Sequence, residues 1–225
     1  MRKIVSLLFG VALALVPAAQ AGEPNAAAKA QAEKLIAQAP DGTAVWTAGD
    51  DGSVRHVQSG MKCLPAYPMQ LSLAQLAVLP SPNGKGMDVV CDYASPFDGS
   101  KLDVFATKSP PGISLDESFE LYRRLILALH QGAVAKGAFS DVEGAGLKFP
   151  DDKTKGVRTE IFLYKDRAGN DQISYLIVAT ENGWSLQVRM TVPAADKEMS
   201  TRLFAYMAMD VARKAVTEAA TPSSN

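Results

Sequence analysis

Hydrophobic and polar positions run along this chain with two different periods, and the changes of period divide it into elements. Over residues 24–39 alanines alternate with Lys29, Gln31, Glu33, Lys34 and Gln38, a composition that favours helix, with Leu35 and Ile36 as the large members of a thin apolar stripe. Pro40-Asp41-Gly42 closes it as a turn. Short strand patterns then follow over 43–47, 53–58, 71–79, 87–93 and 101–107, with Gly- and Pro-containing breaks between them. In the fourth, Val89, Cys91 and Tyr93 fall on one face and Asp88, Val90 and Asp92 on the other. The period next lengthens to three and four. Ser114 reads as an N-cap, Glu117 completes a capping box, and a helix is predicted over 115–136 with Leu115, Phe119, Tyr122, Ile126, Leu129 and Ala133 as its core stripe. Leu121 and Leu125 widen that stripe, so the middle of the helix is expected to be covered on more than one side.

The second half contains a hairpin that sets its own register. Asn182-Gly183 is a type I′ turn signal, and placing Glu181 opposite Trp184 pairs Ala179 with Leu186, Ile177 with Val188, Tyr175 with Met190 and Ile173 with Val192. A slip of one residue would mix apolar with polar positions. A further strand is predicted over 157–166. A final helix over 194–219 carries Met199, Leu203, Tyr206, Met207 and Val211 on one face, with core packing as the role of Met207.

The fold class is therefore α+β, a central antiparallel β-sheet flanked by helices. This order of helix, strands, helix, three strands and helix resembles the fold of the PsbP family, relatives of an extrinsic protein of photosystem II, over residues 53–219. The resemblance implies an α/β/α sandwich, and many members of that fold group are non-enzymatic accessory or binding proteins. It transfers no functional residue.

Ahead of the fold stands a different kind of segment. Arg2 and Lys3 precede an apolar run over 4–16, and Ala19-Gln20-Ala21 supplies a small-x-small cleavage pattern. A run of about thirteen residues is too short for a permanent span. The organisation expected is a signal peptide over 1–21, a peripheral helix over 22–42, one α+β domain over 43–219 and a loose tail over 220–225. Cleavage after Ala21 exposes Gly22, which offers no acceptor thiol for a lipid, so the mature protein is expected in the periplasm or the medium, without membrane insertion.

Composition narrows the partners. The chain holds 23 basic and 24 acidic residues, and loss of Arg2 and Lys3 leaves the mature form at a net charge of about −3, which draws it to neither nucleic acid nor anionic lipid. Lys153, Lys155 and Arg158 are offset by Asp151 and Asp152, as in a solvated turn. Cys63 and Cys91 are the two cysteines, and in an oxidising compartment they are expected to pair as a disulfide. No metal and no cofactor is expected, since no nucleotide-binding glycine motif and no calcium loop is present.

His56 and His130 are the two histidines. His130, late in its helix, is expected to gain from the helix dipole. His56 with Ser59 and either Asp50 or Asp51 would be the one route to a small hydrolase. Ser59 lacks a Gly-x-Ser-x-Gly elbow, and a strand continuing through 58 would put it on the face opposite His56. The favoured expectation is non-catalytic binding of a protein or envelope component. If the face with Trp184, Leu186, Val188 and Met190 packs on a long helix, the reverse face gathers Arg158, Glu160, Phe162, Tyr164, Gln187 and Arg189 as a candidate binding surface, whether covered or open.

Overall fold

A computed structural model describes residues 26–68, 70–130, 132–135 and 157–194. The leader expected over 1–21, the tail over 220–225 and all but the first residue of the helix expected over 194–219 lie outside the described residues.

Helix α1 (Ala26–Gln38) buries Ala32 together with the two large side chains of its stripe, Leu35 and Ile36. A one-turn helix α2 (Gly42–Val45) replaces the first half of the strand expected over 43–47. Asp41 enters the left-handed region at φ 58°, and Gly42 sits so close to the Ile36 carbonyl that a β-carbon would collide with it. The chain is thus folded tightly against α1 before it can extend.

Three short strands, β1 (Trp46–Ala48), β2 (Val54–His56) and β3 (Lys62–Cys63), then form a small antiparallel sheet in that order. Eight more build the main sheet: β4 (Ala66–Tyr67), β5 (Leu71–Val78), β6 (Asp88–Ala94), β7 (Lys101–Lys108), β8 (Val134–Ala135), β9 (Val157–Lys165), β10 (Asp171–Glu181) and β11 (Trp184–Pro193). Their order is β4-β5-β6-β7-β11-β10-β9-β8, all pairings antiparallel. The protein is α+β with antiparallel sheet predominating and few helices. The β10–β11 hairpin has the register its side chains dictate, from Ile173 opposite Val192 to Glu181 opposite Trp184.

The core lies on both sides of the main sheet. Val89, Cys91 and Tyr93 of β6, Val104 of β7, Val188 and Met190 of β11 and Ile177 of β10 join one cluster with Leu35 and Ile36 of α1 and Trp46, Val54 and Cys63 of the small sheet. On the reverse face, helix α3 (Leu115–Leu129) sets Tyr122 and Ile126 against Phe162, Leu176 and Val178. The long helix therefore covers the face opposite to that of Trp184, Leu186, Val188 and Met190. Alternation could not decide this, because β10 is apolar on both sides, with Tyr175 and Ile177 on one and Leu176 and Val178 on the other.

Helix α3 begins with the full capping box, Ser114 and Glu117 bonding each other's backbone. It ends at Leu129 rather than at 136. His130 is an extended C-cap, Gly132 turns the chain at φ 80°, and Val134–Ala135 pairs with Leu163 and Phe162 as β8. Leu121, Leu125 and Leu129 are exposed, so among the described residues α3 is covered on its sheet side and not on this flank. Cys63 and Cys91 form a disulfide that joins β3 of the small sheet to β6 of the main one. No helix among the described residues is long and apolar enough to cross a membrane.

Candidate functional site

Three places were legible as chemistry in the sequence or emerge from the fold. The first is His56, at the end of β2. The strand stops there, and residues 57–59 turn so that Ser59 folds back onto the ring rather than lying on the opposite face. Its Oγ is 2.8 Å from His56 Nδ1, its backbone N–H donates to the same nitrogen at 3.2 Å, and its Oγ accepts from the Met61 N–H at 3.1 Å. Nδ1 is therefore an acceptor, which places the ring proton on Nε2. Among the described residues Nε2 makes no well-formed hydrogen bond, and the Gly86 backbone is the group that favours its charge.

That pair lacks the rest of a triad. The ring is fully buried, edge-on to Trp46 at 5.2 Å and to Trp184 at 5.4 Å. Burial holds its pKa down at about 4, so it is a poor base near neutrality. Among the described residues no carboxylate orients it: Asp50 pairs with Lys29, and Asp51 bonds Ser53 and Lys62. The geometry wedges an aromatic stack between the two sheets and gives a substrate no approach to the imidazole.

The second place is the reverse sheet face. Its registers bring Arg158, Glu160, Phe162, Tyr164, Gln187 and Arg189 onto one side, as their spacing implied. Most of this face is the seat of α3. Phe162 is fully buried beneath Tyr122 and Ile126, Glu160 holds Arg123 at 2.8 Å, and Arg158 holds Asp116 at 2.6 Å. Gln187 is buried. Tyr164 stacks on His130 with centroids 4.0 Å apart. His130 is shifted below its ordinary range by burial and by Arg189, so its surroundings outweigh the helix dipole that was expected to favour its charge. Arg189 reaches Asp103 at 2.7 Å, and Asp92 stands directly opposite Asp103. Burial, then Asp103, raise the Asp92 carboxyl to about 6.

The third place was not anticipated. At the end of the main sheet where the hairpin turns, the segment 108–113 and residues 180–184 enclose a groove of about 400 Å³, within the size range of small-ligand sites. Register builds it: Lys108 is opposite Trp184, and Trp184 is opposite Glu181, so a cation, an indole and a carboxylate stand in one row across three strands. Pro110, Pro111 and Ile113 add an apolar wall. Lys108 Nζ lies 5.2 Å from the Trp184 ring centroid. Among the described residues neither Lys108 nor Glu181 forms an ion pair.

The groove is firmly framed. The Ser109 N–H donates to the Gly183 carbonyl at 3.1 Å, and Ser109, Ser185 and Ser118 link their hydroxyls at 2.7 and 2.6 Å, tying the loop to β11 and to the start of α3. Gly183 turns at φ 75°, and a β-carbon there would sit 3.2 Å from Lys108 Nζ. Half of this site was present in the sequence as the pairing of Glu181 with Trp184. Lys108 was not, because β7 pairs with β11 across a long stretch of chain that carries no local signal. Among the described residues no group of three or more His, Cys, Asp or Glu side chains is placed to hold a metal ion.

No protein-family model and no curated protein matches the chain. Among solved structures, the crystal structure of CalU16 from Micromonospora echinospora is 14% identical over 68% of this chain and 87% of that one, with a TM-score of 0.25. That superposition is too loose to bear on fold or function.

Proposed function

We propose that this chain is an exported, non-catalytic binding or accessory protein of the cell envelope, and that its ligand seat is the groove between 108–113 and 180–184. The observation that carries the reading is the row Lys108–Trp184–Glu181, in which a cation and a carboxylate, neither ion-paired among the described residues, flank an aromatic that lines a framed concavity. The disulfide and the lack of a membrane-crossing helix among the described residues fit an exported protein, and cleavage after Ala21 completes that reading. With α3 on one face of the main sheet and α1 beside the small sheet on the other, the arrangement is compatible with the layering of the PsbP-like group, whose accessory and binding members point the same way. The alternative, a hydrolase at His56, gains its hydroxyl–imidazole bond and loses access, basicity and an orienting carboxylate.

The test is a photo-crosslinking amino acid placed at exposed position 111 of the protein in its native cell. A discrete adduct that disappears with Lys108→Glu is expected. Adducts formed only from a control probe at position 125 on α3, with none from 111, would overturn the groove as the seat.

A further inference from the structure

We infer that the buried Ser59–His56 pair is an acid-sensitive latch that seats Trp184, so that the groove is shaped in neutral solution and released in acid. This rests on the groove being the ligand seat, to which it adds a control. His56 and Ser59 stand out in the sequence for a chemistry that the fold denies them, and the fold gives them a different place. At the end of β2 the imidazole is edge-on to Trp184 at 5.4 Å, while Lys108 Nζ lies 5.2 Å from the centroid of the same indole. The indole that lines the groove thus has a groove cation and a buried imidazole as ring neighbours, and Trp46 packs on the imidazole in turn at 5.2 Å.

This seat suits a neutral ring. Nδ1 accepts from the Ser59 N–H at 3.2 Å with the Ser59 hydroxyl 2.8 Å away, so a proton on Nδ1 turns that backbone donor against a second donor. The proton also brings a charge that no described carboxylate balances. Asp50 and Asp51 of the β1–β2 turn are held by Lys29 and Lys62, and Asp41 is held by Lys85 beside Gly86. On the same strand Arg55 donates to the Gly60 carbonyl, and Lys108 and Glu181 flank Trp184 in the row across the strands. Burial therefore holds the ring near 4 against the 6.5 of a free histidine, and the latch stays closed above 6.5 and opens as pH falls between these values. The way out is short. Val57 and Gln58 are exposed, and Gly60 turns at φ 74° with nothing within 4 Å of where a β-carbon would stand, so residues 57–60 have room to swing aside while the strands stay. Trp184 then loses the neighbour on which it rests.

The experiment uses the oxidised mature protein, labelled with fluorotryptophan and with histidine carrying carbon-13 at Cε1, with Trp46→Phe to assign the two tryptophan resonances. Both nuclei are followed as the solution is acidified, and far-UV circular dichroism monitors the fold. The Trp184 resonance is expected to shift with a midpoint between 4 and 6.5 that coincides with that of His56, while the dichroism is unchanged. His56→Phe keeps an aromatic edge that cannot titrate and should flatten the Trp184 curve. Glu181→Gln removes the carboxylate opposite Trp184 and should leave the curve in place. If His56→Phe does not fold, the coincidence of the two midpoints in the native sequence decides the matter. A Trp184 resonance that stays fixed while His56 titrates, that loses its shift in Glu181→Gln, or that moves only as dichroism is lost would overturn the latch. Loss of the position-111 adduct in acid medium is the release expected, and its persistence there would overturn the release. Absence of that adduct in neutral medium would sink the groove as the seat, while the two midpoints still decide the latch.

Discussion

At buried His56 and half-buried Asp92 two titrations oppose each other. His56 is held near 4 by burial, below the 6.5 of an unfolded histidine, so the fold keeps its full benefit above about 6.5 and loses it as pH falls toward 4. The change is about 3 kcal/mol across that window. Asp92 is raised to about 6 by burial and by Asp103, so its penalty is absent below about 4 and grows as pH rises through 6. For a partly exposed carboxyl this is about 1 to 2 kcal/mol. The two slopes act over the same range with opposite sign. The histidine change is the larger, so urea midpoints of the native protein are expected to rise between pH 4 and 6.5 by the equivalent of only about 1 to 2 kcal/mol. Asp92→Asn should stabilise at pH 7 and not at pH 4, unmasking the histidine slope, and His56→Gln should leave a midpoint that falls with rising pH. Parallel profiles for the three proteins would contradict both assignments. The residues of this balance were visible in the sequence. What was not visible was that the strand through His56 stops at once and that Gly60, at φ 74°, lets Ser59 return to the ring.

Among the elements, α3 is the one whose fate depends most on its ends. Ser114→Ala removes the side-chain half of the capping box, leaving the backbone N–H of residue 114 to donate to Glu117, and is expected to cost about 1 kcal/mol, read as a lower urea midpoint. Leu125→Gln, on the exposed flank of the same helix, should change stability by less than about 0.5 kcal/mol. A large loss there would mean that the flank is covered in solution. The box and the hairpin register were readable because both are local: a cap needs four residues, and an Asn-Gly turn indexes its own strands. The end of α3 was less so, since helical spacing continued through Ala133 while Gly132 and the pairing of Val134 with Leu163 ended the helix. Which helix took which sheet face was not readable at all, because both faces of β10 are apolar.

For the molecule as a whole, the disulfide matters more than its single bond suggests, because it fastens one sheet to another. Replacing Cys63 and Cys91 together by serine should cost about 3 to 4 kcal/mol for a loop spanning 28 positions, with the small sheet opening first and Trp46 becoming accessible to quenchers. A fully cooperative single transition with Trp46 still protected would refute that order. The consecutive hairpins of the main sheet could be read along the chain, but the β7–β11 seam that completes both the sheet and the groove joins distant segments and could not. That division also fixes an order in time. A chain threaded through a membrane N-terminus first, as the proposed leader implies, delivers both thiols before β7 to β11 have emerged. An oxidant on the far side of that membrane could then lock the first half of the protein, with α1, the small sheet and β4 to β6 in place, while the strands that will shape the groove are still on the other side.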